Sequence, residues 1–426
     1  MDYPDDEYVF VDREEVEATG HLAQISDYID GLASELWEVN KTIHDNPELG
    51  YKEFIAHKTL TSFMAKQHGW KVIPSAYGLA TAWIAVYDSG KKGPVVSLNV
   101  EMDALEGIGH ACGHNLIATA SVAAGLATAD IVARDRLGGK VVLFGTPAEE
   151  GGGGKIKLLQ AGAYKDYNVD ISLISHPGTI KDNAVMRTSA YTAFKVEYHG
   201  REAHAAAEPW LGINALDALI TAYNAISVLR QQTMPGDVIQ GNITDGGLRP
   251  NIIHAYTAGS FVVRANTQAR RSELKKKVEA CFEAGAAATG ATLTMTPVQS
   301  YADHVPNLVL AEHYRQHFNN LCPPEPIPDN PGVDGGRTMA STDQGDISYA
   351  MPSLNVGFLI PAGPGGAGPH NPGFAEAAGT EIAFGNCLRV GKAMAAVGID
   401  VLKESGLLDK VKKEWEDDMK QMKRAL

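Results

Sequence analysis

The chain has 426 residues, of which 44% are hydrophobic and 21% are charged, and its formal net charge is −14. The length predicts two domains, with three as the limit, and the composition is typical of a soluble globular protein. The acidic balance argues against a nucleic-acid or anionic-membrane partner, because either would favour a basic face. No apolar run reaches about 18 residues, so we expect no membrane-spanning segment.

The N-terminus and the cysteines indicate a reducing compartment. Residues 1–8 lack the basic and apolar regions of a secretory signal. The four cysteines lie far apart without a framework spacing, which favours free thiols or one metal ligand over disulfides. They are Cys112, Cys281, Cys322 and Cys387. We therefore expect a cytoplasmic protein.

The first part of the chain alternates between predicted strands and helices. Residues 21–47 predict one amphipathic helix. Apolar helices are predicted at 116–132 and 156–161, and strands at 71–73, 80–86, 95–100, 140–144 and 171–174. Continuous apolar strands that alternate with helices are typical of an α/β sheet covered by helices on both faces.

The pattern changes near residue 188. Strands predicted at 193–198, 237–244, 255–267 and 291–298, with helices at 212–232 and 271–290, give the order β-α-β-β-α-β of a ferredoxin-like unit. Such a unit can form an inserted domain. The predicted division is therefore a first α/β part at 1–187, the inserted domain at 188–303 and a second α/β part at 304–426.

The α/β character returns in this last part. It contains a strand within 348–360 and a long helix at 379–402. A charged helix from Leu407 carries Trp415 and Met419 on one side, and we expect it to pack on the surface of the body.

A glycine-bracketed turn at 107–115 places Cys112 and His114 two residues apart, directly after a predicted strand. A thiolate and an imidazole on one short loop can form half of a transition-metal site. Taken alone, such a pair is more often a buried cysteine and a hydrogen-bonded core histidine.

Two adjacent carboxylates, Glu149 and Glu150, follow another apolar strand and precede four glycines. Open α/β sheets place their sites at the carboxyl ends of strands. One carboxylate can bind metal while its neighbour reaches a water molecule. The alternative is a solvated acidic turn, although the glycines allow backbone to pack close to a site.

Two further histidines complete a set of ligands. His176 closes the strand at 171–174, and His370 lies in a loop after the last predicted strand. Each alone is more often structural than a ligand. Together with Cys112, His114 and Glu150 they form a mixed sulfur, nitrogen and oxygen set for one or two divalent ions. Glu149 is then left as the proton carrier.

The chain resembles the M20 family of metallopeptidases and amidohydrolases, and most closely its D branch. The resemblance rests on motifs in the family's order, beginning at 44–50, 102–105, 110–114, 147–150 and 176–178. It continues at 203–206, 250–253, 341–343 and His370. It implies a zinc-exopeptidase-like catalytic domain with a central mixed sheet, and an inserted ferredoxin-like lid that forms a homodimer.

The resemblance also implies roles for single residues. Cys112 would bridge two metals, and His114, Glu150, His176 and His370 would be the other ligands. Glu149 would be the general base, and Asp103 would support the site. His204 resembles a lid histidine that stabilises the oxyanion, and Asn251 and Arg264 resemble anchors for the substrate carboxylate. The implied cofactor is two divalent ions per subunit, Zn²⁺, Mn²⁺ or Co²⁺.

Two residues depart from the common family pattern. Asn115 stands where much of the family has Asp, and this could change the charge around the metal ligands. His254 replaces a common Pro, and it could reshape the pocket edge near Asn251.

The predicted function is metal-dependent hydrolysis of the amide bond in a dipeptide or an N-acyl amino acid with a free C-terminal carboxylate. A dipeptidase is favoured. The alternatives are an N-acyl-amino-acid amidohydrolase, including one of specialised metabolism, and a catalytically silent relative that binds a metabolite or partner. A thiol mechanism through Cys112 is weaker, because an adjacent metal would hold the thiolate.

Overall fold

The computed structural model describes residues 20–329 and 337–424. The N-terminal residues 1–8, for which no secretory signal is predicted, lie outside the described part. The described residues form ten strands: β1 Trp70–Pro74, β2 Trp83–Asp88, β3 Val95–Glu101, β4 Lys140–Thr146, β5 Ile171–Gly178, β6 Ala190–His199, β7 Val238–Asp245, β8 Tyr256–Ala265, β9 Thr292–Tyr301 and β10 Ser353–Leu359.

Helices of the first half are α1 His21–Gly31, α2 Ala33–Asp45, α3 Phe54–Met64, α4 His114–Arg134, α5 Gly154–Gln160, α6 Ala163–Asp166 and α7 Ala215–Leu229. Those of the second half are α8 Gln268–Thr289, α9 Leu308–Asn320, α10 Gln344–Ala350, α11 Pro372–Ala378, α12 Glu381–Lys403 and α13 Leu407–Arg424. The prediction of one continuous helix over 21–47 was wrong, because two helices form there. The helix is interrupted between α1 and α2 at Leu32, next to Gly31, and glycine disfavours helix interiors.

The larger sheet has six strands in the order β1-β2-β4-β3-β5-β10. Strands β4, β3, β5 and β10 are mutually parallel, whereas β2 is antiparallel to both β1 and β4. Alternate residues of β4 enter two different cores, with Val141 and Leu143 on one face and Val142 and Phe144 on the other. Side chains point alternately to the two faces of a strand, so helices cover both faces. The predicted mixed α/β class is confirmed.

Two apolar helices form the centre of the larger core. Both α4 and α12 are long and apolar enough to cross a membrane, but 89% of the apolar window of α4 and 72% of that of α12 are buried inside the molecule. A helix that is hydrophobic on all sides is typical of a buried core position. Both helices are therefore accounted for as core helices of the described fold.

The smaller sheet has four antiparallel strands in the order β7-β8-β6-β9, with α7 and α8 packed on one face. The chain order is β6-α7-β7-β8-α8-β9, which is the predicted ferredoxin-like order. The domain boundaries at 187/188 and 303/304 stay predictions. One edge strand, β7, leaves residues 240–244 exposed.

The tail helix α13 packs on the body as predicted. The Glu414 carboxylate accepts hydrogen bonds from the backbone N–H groups of Leu308 and Val309, at 3.1 and 3.0 Å, and so caps the start of α9. The Trp415 indole donates to the Ser348 carbonyl at 2.8 Å.

A buried histidine just after β9 links the stretch between β5 and β6 to the start of β10. His304 Nδ1 lies 2.9 Å from the Met186 carbonyl oxygen, and Nε2 lies 3.2 Å from Ser353 Oγ. The neutral ring satisfies both contacts, as a donor to the carbonyl and an acceptor from the hydroxyl. Burial lowers the pKa of His304 from 6.5 to about 4.

We expect His304→Gln to make stability less sensitive to acid. In the unfolded chain the His304 imidazole takes up a proton below pH 6.5, whereas in the folded chain it does so only near pH 4. The contribution of neutral His304 is therefore complete above the unfolded pKa. It is lost as the pH falls toward the folded pKa, at about 1.4 kcal/mol per pH unit. Urea unfolding at about pH 7 and about pH 5 measures the loss. An equal loss in the variant and the wild type would contradict this account.

Candidate active site

The carboxyl ends of the parallel strands bring the predicted metal ligands together. Strand β3 ends at Glu101, β4 leads into the loop that holds Glu149, and His176 lies near the end of β5. Two groups of ligand atoms within 4.8 Å of one another are Cys112, His114 and His176, and Cys112, Glu150 and His370. All five predicted ligands therefore converge on one edge of the sheet.

The turn before α4 presents Cys112 and His114 to this edge. Gly113 adopts a φ of 76°, and α4 begins at His114. Cys112 Sγ lies 3.2 Å from His176 Nε2. His176 Nδ1 lies 2.8 Å from the Pro177 carbonyl oxygen, which can only accept, so Nδ1 carries the proton and Nε2 keeps a free lone pair. Free Nε2 is the form of histidine that binds a metal.

Asp103 organises three groups of the site at once. Its Oδ1 lies 3.2 Å from His114 Nδ1 and accepts from the Glu149 N–H at 3.1 Å, while Oδ2 accepts from the Glu150 N–H at 2.9 Å. Contact with the carboxylate fixes the proton on His114 Nδ1 and leaves Nε2 available as a ligand. Asp103 therefore contacts His114 and the backbone of both glutamates, and its role in supporting a metal site stays a prediction.

His370 reaches the cluster from a strained loop. It adopts a φ of 64°, a left-handed conformation that costs free energy for a residue other than glycine, and its N–H donates to the Ala111 carbonyl at 2.8 Å. Its Nε2 lies 3.2 Å from Glu150 Oε1. The backbone contact joins the His370 loop to the Cys112 turn.

The chemistry of the buried atoms fits divalent ions. Glu101 Oε2 and His114 Nε2 are buried without a hydrogen-bond partner, and the buried Glu150 Oε1 has His370 Nε2 at 3.2 Å. His114 Nε2 lies 3.3 Å from Glu101 Oε2 and 4.0 Å from Glu150 Oε1. Buried polar atoms are normally paired, and these three face one another across a space that a cation could fill. The donor set of thiol, imidazole and carboxylate suits a borderline metal such as Zn²⁺.

Burial controls the protonation of the two adjacent glutamates. Burial, then the charges of Glu101 and Glu150, raise the pKa of Glu149 well above its ordinary value. Burial also acts to raise the pKa of Glu150, but the contact with His370 and the charge of His114 outweigh it, so this pKa is lowered. The two neighbouring glutamates thus have pKa values shifted in opposite directions, and the roles of base for Glu149 and metal ligand for Glu150 stay predictions.

A thiol mechanism is not favoured by this geometry. Burial raises the pKa of the Cys112 thiol well above its ordinary value, and only 7% of the residue is exposed. Reactive thiols instead sit in electropositive, partly exposed surroundings that lower their pKa.

Sequence reasoning missed a buried ion-pair cluster behind the site. Lys155 Nζ lies 2.6 Å from Glu101 Oε1 and 2.6 Å from Asp343 Oδ1, and the Lys155 side chain is 0% exposed. Asp343 stands in the 341–343 motif and Glu101 directly follows the strand predicted at 95–100, so both carried a signal. Nothing in the sequence around Lys155 indicates that it joins them.

Two tyrosines connect the smaller sheet to Glu149. Tyr301 OH donates to the Glu149 carbonyl at 2.7 Å and accepts from the Gly153 N–H at 3.1 Å. Tyr191 packs against Tyr301 edge-on at 5.3 Å between ring centres, and the Arg264 guanidinium lies 4.9 Å from the centre of the Tyr191 ring. Arg264 is therefore linked to the Glu149 loop through the rings of Tyr191 and Tyr301.

His204 and Asn251 lie at the other end of the smaller sheet. The Ala205 N–H donates to the Asn251 carbonyl at 3.1 Å, and His204 pairs with Ile252 before β8 begins. Arg264 comes eight residues after the start of β8, about 26 Å at about 3.3 Å per residue. The structure therefore does not bring Asn251 and Arg264 together within one chain.

The two departures from the family pattern have structural surroundings of their own. Asn115 is buried and donates to Asn40 Oδ1 and to the Ala378 carbonyl, both at 2.9 Å, so it joins helices. His254 lies against Gly247, where a Cβ atom would come within 2.2 Å of its Nδ1. A glycine is therefore required beside this ring.

The chain matches the model of peptidase family M20/M25/M40 over residues 95–383. It belongs to that family. A Xaa-Arg dipeptidase from Mus musculus is 38% identical over 400 residues, covering 91% of this chain and 90% of the relative. A p-aminobenzoyl-glutamate hydrolase polypeptide from Escherichia coli is 26% identical over 457 residues, covering 92% of this chain and 94% of the relative. The prediction of an M20 metallopeptidase is confirmed.

Solved structures share the fold at low sequence identity. An aminobenzoyl-glutamate utilization protein from Klebsiella pneumoniae has a TM-score of 0.66 at 18% identity, covering 89% of this chain and 99% of its own. A dinuclear metal-binding peptidase of the M20 family from Bacillus subtilis has a TM-score of 0.64 at 18% identity, covering 88% of this chain and 99% of its own. These likenesses confirm the fold class.

We expect Asp103→Asn to weaken metal binding about 10- to 100-fold, because outer partners of ligating histidines have effects of that size. The amide keeps the shape but cannot accept all three contacts or supply the charge. Competition with a chromophoric chelator measures the affinity. The control is Asp88→Asn, which removes a surface ion pair with Lys140. Equal affinities in Asp103→Asn and the control would rule out this role.

Proposed function

We propose that the chain hydrolyses dipeptides with a free C-terminal carboxylate, using two divalent ions held by Cys112, His114, Glu150, His176 and His370. The observation that carries the proposal is the convergence of these ligands with Glu149 around buried, unpartnered polar atoms. Zn²⁺, Mn²⁺ and Co²⁺ all suit this donor set. A catalytically silent relative is disfavoured because every predicted ligand and Glu149 is in place.

The chain's own residues divide the work of amide hydrolysis. Bound ions would supply Lewis acidity that lowers the pKa of a water and polarises the substrate carbonyl. Glu149 takes the proton of the attacking water and returns it to the leaving nitrogen. Tyr301 and Asp103 hold the Glu149 backbone from opposite sides, through the carbonyl oxygen and the N–H, and thereby fix the position of the base.

The substrate follows from Arg264 and from the relatives. Arg264 Nη1 contacts only the Met339 carbonyl and Ser341 Oγ among the described hydrogen-bond partners, at 3.1 and 3.0 Å, so its charge is not matched by a carboxylate. Arginine binds carboxylates with a planar fork. The similarity to a Xaa-Arg dipeptidase favours a dipeptide whose C-terminal residue is cationic.

An N-acyl-amino-acid amidohydrolase remains the second candidate. The relatives include an N-acetyl-L-cysteine deacetylase from Bacillus subtilis, which is 28% identical over 279 residues. With this activity the chain would use the same carboxylate anchor, Arg264, and the same base, Glu149. The two activities differ at the acyl side of the pocket, where a dipeptidase binds a free amine.

We expect Arg264→Gln to lower kcat/KM for a dipeptide with a free carboxylate by about 10- to 100-fold, since hydrogen bonds to charged groups contribute about 1.5–3 kcal/mol. The same dipeptide with an amidated C-terminus serves as the matched substrate, and the variant should leave its already low rate unchanged. A variant that slows both substrates equally would contradict the anchor role.

The proposed homodimer explains the distance between Arg264 and the pair His204 and Asn251. His204 is exposed, and its Nδ1 accepts from the Ala206 and Ala207 N–H groups at 3.2 and 3.1 Å. Its Nε2 therefore carries the proton and can donate to an oxyanion. With His204 far from its own glutamate loop, a second copy would bring this donor to the site.

The lid carries a surface suited to this contact. The edge strand β7 is exposed, and α7 presents Ile220, Tyr223 and Val228, which are 42%, 41% and 74% exposed. Edge pairing of two β7 strands would cover both features and relate the two copies by a two-fold axis.

The cytoplasm remains the predicted location.

We expect activity to return when two inactive variants are mixed. Glu149→Gln removes the base, and His204→Ala removes the oxyanion donor. A mixed dimer regains one complete site, so random exchange of subunits restores about a quarter of wild-type activity. Mixing after partial dissociation, followed by a dipeptide assay, measures this. No recovery despite verified subunit exchange would show that His204 acts within its own chain.

A further inference from the structure

A second cluster of metal-type side chains lies between α9 and α12. His313 and His317 are one turn apart on α9, and Asp400 faces them from α12. Leu402 packs so close to Gly139 that a Cβ there would meet it at 2.5 Å, which places this end of α12 beside the start of β4. The cluster is therefore at the amino edge of the sheet, opposite the active site.

The three side chains point their ligand atoms at one place. Asp400 Oδ2 lies 2.8 Å from His313 Nδ1 and 2.6 Å from His317 Nε2. These atoms fall within 4.8 Å of one another. The spacing of four residues puts both imidazoles on the same face of α9. The His317 and Asp400 side chains are 0% and 2% exposed, and that of His313 is 13% exposed, which leaves a path by which an ion could enter.

The charge of Asp400 requires a positive partner. Among the described residues its ion-pair partners are the two histidines, and no lysine or arginine is paired with it. Neutral imidazoles donate hydrogen bonds but do not balance a buried carboxylate. The Asp400 charge is therefore offset either by a protonated imidazole or by a bound cation, and burial of His313 is outweighed by Asp400, which raises the pKa of this histidine. Glu404 follows one helical turn after Asp400, and its charge interacts with His313 and Asp400, so a second carboxylate lies near the cluster.

We propose that His313, His317 and Asp400 bind a divalent cation, with Glu404 or a water as the fourth ligand. Two imidazoles and a carboxylate are a donor set for Zn²⁺ in four-coordinate geometry. The ion balances the buried charge and joins α9 to α12. Because it binds the folded chain, it stabilises the fold. This site is independent of the proposed hydrolysis.

The test removes the active-site ions first. In the full chain, Cys112→Ala combined with Glu150→Ala disables that centre, and dialysis against Zn²⁺ followed by metal analysis should find about one ion per chain. Adding His313→Gln should remove this ion and abolish the rise in unfolding temperature that Zn²⁺ produces. His313 is partly exposed, so its replacement should preserve the fold.

Two further variants guard the interpretation. His68→Gln removes an exposed histidine elsewhere and should keep the ion. Asp400→Asn keeps the side-chain shape and should lower the Zn²⁺ affinity at least about tenfold, since it removes a charged ligand. The proposal is overturned if the active-site variant binds no Zn²⁺. It is also overturned if His313→Gln retains the same ion content and the same Zn²⁺-dependent rise in unfolding temperature.

Discussion

Excess negative charge buried at the carboxyl edge of the larger sheet is the constraint on which the rest of the structure depends. Five carboxylates meet there, from Glu101, Asp103, Glu149, Glu150 and Asp343, and Lys155 is the lysine paired with two of them. Buried charges persist when they are paired and hydrogen-bonded. Lys155 forms ion pairs with Glu101 and Asp343, and backbone N–H groups donate hydrogen bonds to Asp103. The remaining glutamates need either protons or cations.

This charge balance links metal binding to catalysis. The pKa of Glu149 is raised by burial and by neighbouring carboxylates. Divalent ions at the ligand cluster would offset the charge of those carboxylates and allow Glu149 to ionise. The same ions would lower the pKa of a neighbouring water. They would also satisfy the unpartnered atoms of Glu101 and His114. The same buried carboxylates would thereby bind the ions and, through them, control the pKa of Glu149.

Part of the fold and of the candidate site could be predicted from sequence, because functional residues of parallel sheets lie at the carboxyl ends of the strands. The alternation of apolar strands and helices placed Cys112, Glu149 and His176 at strand ends, and the structure brings them together. The Lys155–Asp343 pair could not be found, since the residues are 188 positions apart and only the folded chain joins them. The predicted strand at 255–267 already separates Asn251 from Arg264, but their shared resemblance to carboxylate anchors concealed this. The break at Leu32 lies next to Gly31, and the apolar periodicity by which the helix was predicted does not register a single glycine.

The central claim is that two ions complete the buried cluster, with Cys112 between them. Anomalous diffraction from crystals grown with Zn²⁺, recorded on both sides of its absorption edge, tests it most directly. The account predicts two neighbouring peaks at the carboxyl edge, with Cys112 Sγ within about 2.3 Å of both, the usual zinc–thiolate distance. A single peak, or two peaks that Cys112 does not touch, would contradict it.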